Sequence, residues 1–361
     1  MDKIKRYLEC YIDTETCNFR CGYCYIAQKE KFKNKICKFK KTPEEIRNAL
    51  SKERLGGTCL INFCAGGETL LSEDVIPVIK ALLEEGHYLM VVTNGSLTGR
   101  FKELMQFPES LKKRLIFKMS FHYLELKRLK MLDVFVNNVN QIKNGGASYT
   151  IEITPSDELM PYIDELKTFC LDHFGALCHT TIAREDISGN INHLSQLSFE
   201  DYIKTWSVFE SNLLNFKKDI FYKKRKEFCY AGDWSIYINL TTGDYKQCYS
   251  ERKIGNIYNK KPLKFCAIGN RCKIAHCYNG HAFLTLGTIP EMKTPTYASL
   301  RDRNECWLQP EMREFISSKL VESNKEYSRC KKFKTNCVNF GVSVLGKCKR
   351  GVKKIFKGNK K

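Results

Sequence analysis

Cys17-Asn18-Phe19-Arg20-Cys21-Gly22-Tyr23-Cys24 places three thiols in one short loop, spaced C-x3-C-x2-C, with an aromatic residue before the third. The loop offers three thiolates and no fourth. An iron–sulfur cube takes four ligands, so a cube held here keeps one iron open to a small molecule. The competing reading is zinc. That metal usually comes with two paired C-x-x-C arms or Cys/His pairs. No second arm lies within the next thirty residues.

Outward from this loop, strands and helices alternate. Tyr7 to Asp13 reads as a strand running into the cysteines. Thr42-Pro43-Glu44-Glu45 is a capping box with proline at the first helical position, and the helix it opens stops before Gly56-Gly57. Further strands are expected at Cys59 to Ala65, Tyr88 to Thr93, Leu115 to His122, Tyr149 to Thr154 and Leu177 to Ala183, with helices between them and a last helix capped by Ser198. Six such units argue for a parallel sheet that curls. A closed barrel fills its interior with branched apolar side chains. Here period-two alternation puts Glu9, Tyr11 and Asp13, then Lys118, Ser120 and His122, then Thr150, Glu152 and Thr154 on one face. A polar lumen is costly unless it holds ligand and water. The fold class read from this pattern is therefore α/β, an open partial (β/α)6 TIM-like barrel with a lateral cavity.

The run CNFRCGYC resembles the signature loop of the radical S-adenosylmethionine (SAM) superfamily. The resemblance implies a [4Fe–4S] cluster on Cys17, Cys21 and Cys24, whose open iron chelates SAM. One electron then cleaves a carbon–sulfur bond and leaves a 5′-deoxyadenosyl radical. It covers about residues 5–215. Gly66-Gly67-Glu68 follows the second strand, as the family's GGE segment does, and implies a contact with the amino group of SAM. By the same resemblance Tyr23 is expected beside the adenine. Thr93-Asn94-Gly95 ends the third strand, as TNG does in many relatives, which implies a place for Asn94 in the cofactor pocket, and Ser120 and His122 on the lumen face of the fourth are expected near the ribose. Glu152 and Arg184 complete the expected cofactor pocket, with Arg184 offered to the SAM carboxylate. No catalytic acid or base is named.

Cys229 and Cys248 flank an expected β-hairpin, Trp234 to Gln247, in the spacing C-x13-G-x4-C. Cys266, Cys272 and Cys277 follow. This resembles the small C-terminal SPASM or twitch domain of radical SAM enzymes, which holds auxiliary clusters. The second half departs from that pattern, since Leu263 stands where its first cysteine belongs. At least one auxiliary [4Fe–4S] cluster is expected, on Cys229, Cys248 and Cys277 with Cys266 or Cys272 as the fourth ligand. A structural zinc in the same cysteines is the alternative. The expected domains are 1–215, the barrel; 216–328, the auxiliary-cluster domain, with 215–227 read as a charged linker and no apolar core of its own; and 329–361, a basic tail.

The chain has 361 residues, 18 cysteines and a net charge of +20. Residues 329–361 hold twelve Lys/Arg and no acid, which leaves eight of those charges to the rest. The tail is read as disordered, solvated charge or as a surface for an acidic peptide, an anionic lipid or a saccharide substrate, with nucleic acid the weaker reading. No run of eighteen apolar residues and no signal core are seen, so a cytoplasmic location is expected, peripheral to the inner membrane surface if the tail binds lipid. So many cysteines in a reducing compartment favour metal ligation over disulfides. Cys59, Cys64 and Cys178 read as small core residues. The resemblance implies an oxygen-sensitive enzyme that abstracts hydrogen from a peptide substrate, drawing electrons from a flavodoxin or ferredoxin. The alternatives are dehydrogenation or epimerisation of a saccharide, and a non-catalytic iron–sulfur or zinc module.

Overall fold

The computed structural model describes residues 2–30, 32–249, 253–270 and 272–341. Six parallel strands come first: β1 (Arg6–Ile12), β2 (Cys59–Ala65), β3 (Tyr88–Thr93), β4 (Leu115–Ser120), β5 (Ser148–Ile153) and β6 (His179–Thr180). Each pairs with the next, and the sheet runs β6-β5-β4-β3-β2-β1 without β6 returning to β1. The barrel is therefore open. The expected sixth strand shrinks to two residues at that open edge.

The outer face of the sheet is apolar, with Leu8, Ile61, Val91, Phe117 and Ile151 fully buried under the helices. Those helices start where the sequence says they should. Thr42 and Glu45 exchange both bonds of the capping box over Pro43–Ala49. Val75–Glu84 buries Val75, Ile76, Ile79, Leu82 and Leu83 along one side. One connection carries a buried histidine whose two ring nitrogens are both paired. His87, wholly buried, accepts from the Cys59 amide through Nδ1 (3.1 Å), and its Nε2 lies 2.8 Å from the Leu50 carbonyl oxygen.

Beyond residue 206 three expectations need correction. Asn212–Ile220 is a helix capped by Ser211, so the 215/216 boundary falls inside it. It buries Leu213, Leu214, Phe216, Lys217 and Ile220, a helical stripe that its lysines disguised as linker. The hairpin forms, but as more of the same sheet. β7 (Ser235–Asn239) pairs in parallel with β1, and β8 (Asp244–Lys246) and β9 (Lys253–Asn256) extend it antiparallel. Nor does the C-terminal part lack apolar packing. Tyr230, Trp234, Phe283, Tyr297 and Phe315 form a second buried cluster with Tyr7, Leu60, Tyr88 and Ile116 from the inner face of the sheet. Each such side chain contributes roughly 1.5–3 kcal/mol on burial. The lower lumen is thus filled by protein.

The tail begins within the fold. Residues 329–341 are helical. There Asn336 exchanges bonds with Asn270 (3.0 and 2.9 Å), and the Asn339 amide donates to the carbonyls of Ala267 and Ile268 (2.9 and 3.0 Å). The rest of the basic run, 342–361, lies outside the described residues, and so does the membrane-surface reading attached to it. Among the described residues no helix is long and apolar enough to cross a membrane.

Candidate cofactor site

Three backbone bonds carry the β1–β2 pairing past the ends of both strands. Gly66 donates to Ile12 (3.4 Å), Gly67 to Thr14 (2.7 Å) and Glu68 to Thr16 (3.0 Å). The chain entering the cysteine loop is thereby zipped to Gly66-Gly67-Glu68. The approach leaves no room for a side chain. A Cβ on Gly67 would lie 1.6 Å from the Thr16 carbonyl oxygen, and one on Gly66 would lie 2.8 Å from that of Thr14. Closeness, not a left-handed turn, requires these glycines.

Glu68 ties this corner to the end of β3. Its carboxylate accepts from the Leu70 amide (2.9 Å), the Thr93 hydroxyl (2.7 Å) and the Asn94 amide (2.7 Å). Burial pushes its pKa up, and those three donors oppose the rise. Asn94 in turn reaches the loop. Its side-chain amide donates to Asn18 Oδ1 (2.8 Å) and lies 3.6 Å from Cys17 Sγ, which also accepts from the Phe19 amide at 3.4 Å. Ser96 closes the network by accepting from Asn18 (2.8 Å).

These elements surround one cavity of about 200 Å³. Cys17, Cys21 and Cys24 line it, facing Gly66, Gly67 and Glu68. Asn94, Ser120 and His122 close a further side. Nine residues singled out in the sequence therefore meet in one place. Burial pushes the Cys17 thiol up to about 11 and that of Cys21 to about 12, so both are protonated at neutral pH until a metal displaces the proton. Among the described residues no three His, Cys, Asp or Glu side chains converge as a single ion would need. A cube presents its irons at separate corners, so its ligands ring a volume. Three thiols around one cavity, with N–H donors on Cys17 Sγ, fit that group.

Other expected residues sit elsewhere. Tyr23 is not in the cavity wall; its hydroxyl bonds to His122 Nδ1 (2.6 Å), and burial lowers the His122 pKa to about 4, keeping the ring neutral. Phe19, Tyr25 and Phe32 supply the aromatic wall instead. Arg184 points away, with its guanidinium 4.7 Å from the Tyr278 ring and 3.4 Å from Asn279 Oδ1. Glu152 has a partner that the sequence did not reveal. Arg301, wholly buried and 149 residues on, bonds it at 2.6 Å, and Lys118 stands at 3.6 Å. Burial disfavours the Glu152 charge, but Lys118, Arg301 and Lys217 hold its carboxyl well below the usual range. Cys59 and Cys178 are core residues as expected. Cys64 is not: it lines the cavity, with its thiol 3.2 Å from Glu9 Oε1. Alternation along β2 could have found it, since Cys64 shares the face of Asn62.

A second group of cysteines lies on the inner side. Cys248 is electrostatically coupled to Cys277, Cys229 and Cys272, and Cys277 to Cys229 and Cys272. Burial raises the thiols of Cys229, Cys248 and Cys277. The Cys266 Sγ lies 3.9 Å from Asn339 Oδ1 and 3.8 Å from the Ala267 carbonyl. Cys272 acts electrostatically on all three of Cys229, Cys248 and Cys277. Between the two cysteine groups runs a row of tyrosines. Tyr11 and Tyr237 stack at 6.3 Å, and Tyr249 follows at 5.3 Å and Tyr278 at 5.1 Å.

Comparison with known proteins bears on the first site. Residues 11–114, which hold the cysteine loop, Gly66-Gly67-Glu68 and Asn94, match the model of the Radical SAM superfamily. Residues 11–114, under a third of the chain, are thus similar to a radical SAM domain. A [4Fe–4S] cluster and SAM are the cofactors of that domain. A Methanocaldococcus jannaschii protein with the provisional name of glycyl-radical enzyme activating enzyme is 38% identical over 82 residues, 23% of this chain and 29% of its own length. The chain therefore aligns with under a third of that relative. Among solved structures, SuiB of Streptococcus suis superposes with a TM-score of 0.50 at 15% identity, over 85% of this chain and 77% of SuiB. The SAM-bound structure of anSMEcpe reaches 0.47 at 15% identity, over 95% of each chain. The SuiB match is a likeness of fold.

Proposed function

We propose that this protein is a radical SAM enzyme whose cluster sits on Cys17, Cys21 and Cys24 and whose SAM lies against Gly66, Gly67, Glu68, Asn94, Ser120 and His122. The single observation carrying this reading is that all nine line one cavity. When bound, the cluster and SAM supply a strongly oxidising carbon radical. The protein's part is placement. Asn94 and the Phe19 amide hold Cys17 Sγ, Glu68 locks the GGE corner to β3, and neutral His122 offers a hydrogen bond without charge. The test is anaerobic incubation of reconstituted protein with SAM and dithionite. 5′-Deoxyadenosine is expected, together with a change in the reduced-cluster spectrum when SAM is added. An unchanged spectrum and no 5′-deoxyadenosine would sink the proposal.

The same reading assigns an auxiliary [4Fe–4S] cluster to Cys229, Cys248, Cys272 and Cys277. Four thiolates saturate a cube, so this one would pass electrons and bind no substrate directly. Iron analysis tests it: about eight irons per chain are expected, and about four with one zinc would refute it. A peptide is the proposed substrate, with hydrogen abstraction as the first step of its modification. SuiB, the fold neighbour, has been crystallised with its precursor peptide SuiA, which supports this choice. A small flavin or iron–sulfur protein such as flavodoxin or ferredoxin would supply the electron.

A further inference from the structure

We propose that the inner face of the sheet carries a chamber, beside the cofactor cavity, that takes a carboxylate of the substrate. This rests on the reading of that cavity as the radical source. Four groups from four elements build it: Lys118 on β4, Glu152 on β5, Lys217 on the helix Asn212–Ile220, and Arg301 after the turn Ala298–Leu300. Their charges do not balance. Glu152 is shared by Arg301 and Lys118. Lys217, buried, donates to the neutral hydroxyl of Thr181. The nearby Glu9 is taken by neutral donors, the Tyr7 hydroxyl, the Asn62 amide (2.8 Å) and the Cys64 thiol. Three basic side chains thus face two carboxylates, and burial draws the Lys217 amine down to about 7, a loss of charge that a bound anion would reverse.

Donors are left over as well as charge. Arg301 spends Nη1 on Glu152 and stands 5.1 Å over the Tyr297 ring, while among the described residues its Nε and Nη2 meet no geometric hydrogen-bond partner, and neither does Nδ1 of buried His281. Buried polar atoms are nearly always paired, and an unpaired buried charge is expensive. Nε and Nη2 form the edge of a guanidinium that grips both oxygens of a carboxylate. One unmatched positive charge suits a carboxylate; a phosphate monoester would bring nearly two negative charges. The chamber is not sealed. The side chains of Lys118 and Glu152 are each 14% exposed. Strand register also places Glu152 opposite Ser120, which lines the cofactor cavity. A substrate anchored here by its carboxylate would present its neighbouring carbons to that cavity.

The test measures binding and needs no turnover. Full-length protein, reconstituted with iron and sulfide and saturated with SAM, is titrated by calorimetry with N-acetylglycine. Its neutral counterpart N-acetylglycinamide and inorganic phosphate serve as controls. N-acetylglycine should bind saturably, and the amide about tenfold more weakly, the loss of one charge-assisted contact. Lys217→Met should weaken N-acetylglycine about tenfold and leave SAM affinity within about twofold, whereas Lys217→Arg, which keeps the charge, should restore it. Lys118→Met gives a second reading if Lys217→Met fails to fold. Equal binding of acid and amide, or tighter binding of phosphate, would overturn the assignment. So would competition between N-acetylglycine and SAM, because the anion would then be the cofactor's own carboxylate. Intact N-acetylglycine binding without any SAM cleavage would instead refute the proposed function and spare the chamber.

Discussion

The two cysteine groups are built in opposite ways. The first is a single loop of eight residues, whose entry is clamped by backbone bonds that prolong the β1–β2 pairing. The second gathers Cys229, Cys248, Cys272 and Cys277 from segments far apart in sequence, with Cys229 bridged to Gly269 and Tyr249 against Tyr278. A local loop can be spoiled by one atom at its clamp. A dispersed group depends on which chain segments happen to lie close, and spacing does not reveal that.

That contrast can be broken most sharply at Gly67. Gly67→Ala would drive a methyl into the Thr16 carbonyl and open the clamp. Loss of the SAM-dependent cluster signal is expected, with destabilisation of about 3 kcal/mol or more in urea unfolding. Gly22→Ala, inside the loop but with nothing among the described residues within 4 Å of the added Cβ, should keep both cluster and stability. If the two variants behave alike, the clamp is not what positions the thiols.

The dispersed group is sharpened by a paired substitution. Cys272→Ser should remove about four irons per chain, and Cys266→Ser should leave the iron content unchanged. The reverse result would place Cys266 in the group instead of Cys272.

A smaller effect separates barrel from site. Burial lowers the His87 pKa to about 4, below the ordinary 6.5 of an unfolded histidine. Its folded form is therefore the neutral one. The stability this contributes is complete above pH 6.5 and is lost as pH falls from there toward 4. About 2 kcal/mol should disappear between pH 7 and pH 5 in chemical denaturation, and less in His87→Asn. Weakest of all is the start of the tail. Asn339→Ala gives up two bonds to the segment after Cys266 and should cost about 1 kcal/mol, without touching SAM binding.

Much of the barrel was legible in the sequence. β2 and β3 fall where alternation put them, and the Thr42 capping box opens its helix. These are local signals, each carried within a few residues. Asn212–Ile220 was missed because charge masked an apolar stripe, and the true partner of Glu152 was missed because Arg301 lies 149 residues away. Cys64 was read as core for want of knowing which face of β2 is wet.

Three thiols and a glycine pair at fixed intervals suffice, as bare sequence, to specify a three-thiol corner on a parallel sheet, because covalent spacing and strand period dictate who can meet whom. Which cysteines join into the second group, how β7 to β9 extend the sheet, and where unmatched positive charge collects were decided by tertiary packing alone. Those outcomes depend on contacts between remote segments, and no local periodicity encodes them.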